Sequence, residues 1–128
     1  MSKDLIVKGN KLIESSYRLS LTEMRIVLKM ASVIQKEDRE FQLYRFSVQS
    51  LLSEFSMHSR DHAEIKKASL SLQSKVIQIE DPEKKTLLQI GFISSAEYFD
   101  ALGIVEFNFD PKLKPYLLQL RQNFTSFL

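Results

Sequence analysis

The sequence predicts an α+β domain, helical in its first half and stranded in its second, and three observations carry that prediction. A helix-start signature at Ser20-Leu21-Thr22-Glu23 opens a long stretch with apolar residues at helical spacing. Two short segments, each apolar on one face, then flank a four-residue polar turn. From Val76 onward the apolar period drops to two.

The chain of 128 residues is one domain's worth, long enough to bury roughly two-thirds of its unfolded surface in a single core. A hydrophobic content of 44%, with three glycines and three prolines, argues against disorder and low-complexity classes. No apolar run approaches the roughly 18 residues of a membrane span, and no signal-peptide pattern is present. Zero cysteines exclude a disulfide framework, a thiolate metal site and a cysteine nucleophile. The net charge of +2 divides unevenly: residues 1–75 carry 13 Lys/Arg against 9 Asp/Glu, whereas residues 76–128 carry 5 against 7. An anionic partner on the first half is the reading this asymmetry favours, though weakly.

Leu5-Ile6-Val7 is long enough only for an edge strand, and residues 10–16 suit a polar helix. Ser20 and Glu23 then have the spacing of a capping box, in which each side chain satisfies a backbone N–H that the first helical turn leaves orphaned. Met24, Val27, Leu28, Ala31 and Ile34 follow at helical spacing, and Ile26, Met30 and Val33 widen the apolar face. This is the expected central helix. A charged loop over residues 36–40 separates it from a short strand at residues 41–46, which ends at Ser47, a good N-cap. Val48, Leu51, Leu52 and Phe55 define one face of the next helix. Ser56-Met57-His58-Ser59 interrupts the pattern, and a further helix over residues 60–73 is expected to bury Ile65, Ala68, Leu72 and Leu70.

Strands follow. Val76-Ile77-Gln78-Ile79-Glu80 is one, and Asp81 to Thr86 a polar turn. Residues 87–99 read as one long strand with Leu88, Ile90 and Phe92 on a shared face. Asp100-Ala101-Leu102-Gly103 is a hairpin turn, and Val105, Phe107 and Phe109 alternate with polar residues in the strand after it. Asp110-Pro111 starts the last helical region. Pro115 cannot occupy a regular helix interior, so a single turn should precede a helix that begins near it. The order helix, strand, helix, turn, helix, strand, turn, strand is the layout of a winged helix-turn-helix with an antiparallel sheet and an added C-terminal helix.

The chemistry these residues allow is narrow. Gly9, Gly91 and Gly103 are isolated, so no phosphate-cradling loop is present. His58 and His62 are four apart, but two histidines beside a turn fall short of a zinc site and are read as solvated. Tyr17, Tyr44, Tyr98 and Tyr116 lack the His-x-His pair that a tyrosine nickase requires, and belong at core edges with wet hydroxyls. No catalytic, metal or cofactor residue is therefore assigned, and no enzymatic activity is expected. DNA contact is the positive case. The second helix of a helix-turn-helix enters the major groove, and here its outward residues are Arg60, Glu64, Lys67, Ser71 and Ser74, with Lys66 at the margin. Lys84 and Lys85 sit at the wing tip, within reach of a neighbouring phosphate. Lysines on an outer helix face are also ordinary, and some winged helices bind proteins instead. A transcription regulator and a protein-interaction module therefore remain as alternatives.

The sequence also resembles a known family, the iteron-binding plasmid replication initiators, over essentially its whole length. Asn10-Lys11-Leu12-Ile13-Glu14 leading into Leu19-Ser20-Leu21-Thr22-Glu23-Met24-Arg25 carries the resemblance. So do Ile65-Lys66-Lys67-Ala68-Ser69-Leu70-Ser71-Leu72 with Val76-Ile77-Gln78-Ile79, and Phe107-Asn108-Phe109 through Pro115-Tyr116-Leu117-Leu118-Gln119-Leu120 to Phe124-Thr125. The similarity is to the first of that family's two winged-helix domains, so a single domain over residues 1–128 is expected, with the second lying beyond this sequence.

The resemblance implies a cytoplasmic protein that binds double-stranded repeats at a plasmid origin, forms a homodimer and recruits host replication proteins. It further implies that the first domain supplies the dimer interface and mainly backbone contacts, the second much of the base reading. By position, Arg60, Lys66, Lys67 and Ser71 map to the family's recognition-like helix. Ile90, Phe92, Ile104 and Glu106 map to the dimer region.

Overall fold

A computed structural model describes residues 18–35 and 42–125 of the chain. The expectations at Leu5-Ile6-Val7, residues 10–16, Tyr17 and the loop at residues 36–40 fall outside them. The elements are α1 (Leu21–Val33), β1 (Gln42–Ser47), α2 (Val48–Glu54), α3 (His62–Ser74), β2 (Val76–Asp81), β3 (Thr86–Gly91), β4 (Ser95–Phe99), β5 (Ile104–Phe109) and α4 (Lys114–Thr125). Single 3₁₀ turns at Ser59–Asp61 and Pro111–Leu113 lead into α3 and α4. This is the winged-helix α+β fold.

Local chemistry sets most boundaries. The capping box of α1 is complete: the Glu23 N–H donates to Ser20 Oγ at 3.1 Å and the Ser20 N–H to Glu23 Oε1 at 3.0 Å. Ile26, Val27, Met30, Ala31 and Ile34 are buried, whereas Met24, Leu28 and Val33 lie at the margin of the face. Ser47 caps α2 through its hydroxyl, which accepts from the Ser50 N–H. At the other end, Ser56 N–H donates to Ser53 O and Met57 N–H to Leu52 O, with Ser56 at φ 56°. These paired bonds form a Schellman motif in which serine takes the left-handed place that glycine usually fills. At the last helix, Asp110 caps the 3₁₀ turn and Pro115 is the second residue of α4, where its missing N–H removes no helical bond.

The strands form two sheets. β1, β5 and β4 make an antiparallel three-stranded sheet with β5 in the centre, and β2 pairs with β3 as a separate hairpin, the wing. The strand expected over residues 87–99 is thus two strands in different sheets. Phe92 and Ile93 are consecutive and both buried, which strict alternation forbids. The chain breaks its period there, and Ser94 joins the second sheet by donating its N–H to Asn108 O at 2.7 Å. Gly103, at φ 66°, closes the β4–β5 turn in a conformation that a side chain would strain.

One core joins these layers. Val105, Phe107 and Phe109 of β5 pack with Ile26, Met30 and Ile34 of α1, Leu51 and Leu52 of α2, Ile65 and Leu72 of α3, and Leu117 and Leu120 of α4. Tyr44 stacks on Phe109 with ring centroids 5.6 Å apart. Arg121 of α4 donates to the carbonyls of Ile34 at 2.7 Å and Ala31 at 3.3 Å. It thereby places a cation at the C-terminal end of α1, whose own last turn has none.

Candidate nucleic-acid interface

α2 and α3 form the helix-turn-helix, and α1 holds it from behind. Arg25 of α1 donates to Phe55 O at 2.7 Å, fixing the end of α2 where the turn begins. Lys29 pairs with Glu54 at 2.8 Å. His58 is the N-cap of the 3₁₀ turn, its N–H donating to Asp61 Oδ2. α3 then presents Ile65, Ala68, Ser69 and Leu72 to the core.

Each flank of α3 is tied down. On one side Thr22 donates to Glu64 at 3.2 Å, and a groove of about 390 Å³ runs between α1 and α3, lined in part by Ser20, Glu23, Lys67 and Ser71. At its base lies Glu23, 4% exposed, with the Lys75 ammonium 2.9 Å from each carboxylate oxygen. Burial alone would push the Glu23 carboxyl up. The Lys75 ammonium, the Ser20 N–H and hydroxyl, and the Ser71 hydroxyl outweigh that and hold it below its ordinary value. The capping residue of α1 is thus also the anchor for the C-terminal end of α3.

The other flank rests on β4. Tyr98 shares a 2.7 Å hydrogen bond with Ser69 Oγ and donates to Ile65 O at 3.3 Å. Burial pushes the Tyr98 hydroxyl up, partly offset by the Ser69 bond. Lys66 lies 5.3 Å over the Tyr98 ring and 3.3 Å from Asp100.

Between these flanks lies the outward face of the helix-turn-helix. Arg60 and Lys67 are exposed, and Ser74 is exposed with its hydroxyl donating to Ser71 O. Ser71 is half-buried and faces Glu23, so it belongs to the groove rather than to the outward face. Lys66 is exposed but engaged with Asp100. Lys84 and Lys85 are exposed at the wing tip, where Asp81 accepts from the Lys84 N–H and Lys85 takes φ 54°. The α3 and wing-tip residues thus lie on two separate elements, the helix-turn-helix and the wing.

Two expectations about side chains are corrected. Leu70 is not in the core but 68% exposed, because α3 turns Ser69 inward in its place to meet Tyr98. The Tyr98 hydroxyl is not wet but bonded on α3.

The residues expected at a dimer surface are divided. Ile90 and Phe92 are buried core residues. Ile104 and Glu106 point to the face of the three-stranded sheet opposite Phe107 and Phe109, but Ile104 is half-buried and Glu106 is buried, 9% exposed, its carboxylate accepting from Arg45 Nε at 2.7 Å. Their strand is central, flanked by β1 and β4, so it offers no backbone edge for pairing.

Among the described residues no group of three or more His, Asp or Glu side chains could hold a metal, and no helix is long and apolar enough to cross a membrane.

These elements define a winged helix-turn-helix domain with a basic outward helix and a lysine-tipped wing. The family model described as initiator replication protein, WH1, matches residues 5–128, and the chain belongs to that family. A similar solved structure is the WH1 domain of MSBI1.176, a replication protein isolated from a multiple sclerosis patient. It aligns with a TM-score of 0.69 at 22% identity, covering 94% of this chain and 95% of that one, and at that identity it shows the shared fold. None of the curated proteins compared with the chain matches it.

Proposed function

We propose that this WH1 domain is a non-enzymatic DNA-binding and self-association module of a plasmid replication initiator, acting in the cytoplasm at origin repeats. The observation that carries the reading is the arrangement of α3. Its flanks are fixed by Glu23–Lys75, Thr22–Glu64 and Tyr98, while its outward face presents Lys67 and the 3₁₀ turn leading into it presents Arg60, both exposed. A rigid helix with exposed cations suits a major groove, and the hairpin tip with Lys84 and Lys85 suits the neighbouring phosphates. Lys66 contributes once a phosphate displaces Asp100 from its exposed pair. Ser71 acts indirectly, through Glu23.

Self-association is assigned to the outer face of the three-stranded sheet, around Ile104, Glu106 and the exposed Leu43. In a longer initiator a second domain adds base reading, and the assembly recruits host replication proteins.

Nuclease protection of duplex carrying repeats found beside the gene is the test. Regularly spaced protected segments, lost in Arg60→Ala/Lys67→Ala, are expected; protection that ignores these residues removes the role from α3. Sedimentation over a concentration series should show mass approaching twice 14.9 kDa. A monomer at every concentration excludes self-association.

A further inference from the structure

Ala63, Lys67, Leu70 and Ser74 fall at i, i+4, i+7 and i+11 of α3, which on a helix is one straight stripe. It lies opposite the buried Ile65, Ala68, Ser69 and Leu72, and all four members are exposed, Ala63 and Lys67 at the side that also lines the α1–α3 groove. The stripe holds no acidic residue. Glu64, the carboxylate of α3 itself, accepts a hydrogen bond from Thr22 on the flank. Two of the four side chains are short, so the stripe projects two long ones. These are a cation at Lys67 and a branched hydrocarbon at Leu70, about 4.5 Å apart along the helix axis.

A solitary exposed leucine is ordinary on a protein surface. This one stands at the centre of the face that the helix-turn-helix turns outward, 68% exposed, on a helix whose two flanks are both tied to the body of the domain. A hydrocarbon gains nothing from a phosphate. The floor of the major groove offers one apolar group, the C5-methyl of thymine, and aliphatic side chains read it by contact. We propose that Leu70 is a specificity-determining residue of this domain, packing on thymine methyl groups in the major groove while Lys67 holds the adjacent backbone. The proposal rests on the DNA reading given above. It adds base recognition to a helix otherwise expected to make mainly backbone contacts.

The test is a selection from duplexes carrying a random 20-base-pair segment, performed with the 128-residue chain, with Leu70→Ala and with Lys67→Ala. Because Leu70 is exposed, Leu70→Ala should melt at the wild-type temperature. The wild-type pool should be enriched in thymine at one or more positions, and the Leu70→Ala pool should lose that enrichment. Replacing the selected thymine with uracil removes only the methyl. It should weaken the wild type by about four-fold, the worth of one buried methyl group, and leave Leu70→Ala unchanged.

Identical pools, or indifference to uracil, overturn the thymine assignment. If duplex binding still depends on Lys67, the DNA reading survives that result; if no duplex is bound at all, both fall. A Leu70→Ala variant with altered sedimentation and an unaltered pool places Leu70 in a protein contact, which also overturns the proposal.

Discussion

The two sheets use the same kind of sequence for opposite purposes. In the three-stranded sheet, β5 is flanked on both edges, and Val105, Phe107 and Phe109 are at most 1% exposed. In the wing, β2 buries Ile77 and Ile79 but turns Val76, Gln78 and Glu80 to solvent, and the paired Leu87 is also exposed. Alternating apolar residues therefore build a scaffold where a strand has two neighbours and a core beneath it. They build a projecting arm where it has one. The wing is rooted in the same core through Ile77, Ile79 and Ile90, and its exposed tip carries Lys84 and Lys85.

Substitutions should separate these roles, the largest effect coming from the scaffold. Phe107→Ala removes a ring from the centre of the core and should cost about 3–5 kcal/mol in denaturant unfolding. Lys84→Ala with Lys85→Ala should leave the unfolding midpoint within about 0.5 kcal/mol of wild type, because both are exposed. A wing-tip pair that destabilises as much as Phe107→Ala would erase the distinction.

Next in size are the bonds that tie the helices together. Arg121→Met leaves the Ile34 and Ala31 carbonyls without their cation and should cost about 1–2 kcal/mol. Glu23→Gln should act through pH. The folded carboxyl lies below its ordinary value of 4.5, so its contribution is fully present above that pH. It is lost as pH falls through the lowered folded value. The wild type should therefore lose stability on acidification below about 4.5 more steeply than Glu23→Gln, and parallel acid curves would show that the Lys75 pair contributes nothing. The smallest effect is a gain. Ser56→Gly relieves the left-handed strain at φ 56°, offset by the greater chain entropy of glycine, for a net stabilisation of about 0.5 kcal/mol.

What the sequence revealed and what it hid follow one physical line. Interactions within a few residues were legible: the Ser20–Glu23 capping box, the Ser47 cap, the turn at Ser56, the bend at Gly103 and the start of α4 near Pro115. Interactions that depend on which elements meet were not. Glu23 reads as a capping residue, and nothing local announces that Lys75, 52 positions away, will neutralise it. Ser69 and Leu70 are adjacent on α3, and hydrophobicity favours burying the leucine. The outcome reverses because Tyr98 offers a hydrogen bond at the position Ser69 occupies. The sheet change at Phe92-Ile93 did leave a local signal, two consecutive apolar residues within an alternating strand. Ile90 and Phe92 map by resemblance to a dimer region yet lie in the core, because a strand pattern marks an apolar face without saying what buries it.

The central claim is that α3 and the wing meet DNA phosphates, and the salt dependence of duplex binding tests it most directly. The logarithm of affinity should fall linearly with the logarithm of salt concentration. Lys67→Ala should reduce the slope by about one unit, and Lys84→Ala with Lys85→Ala by up to about two. Slopes equal to wild type in both variants would contradict the account.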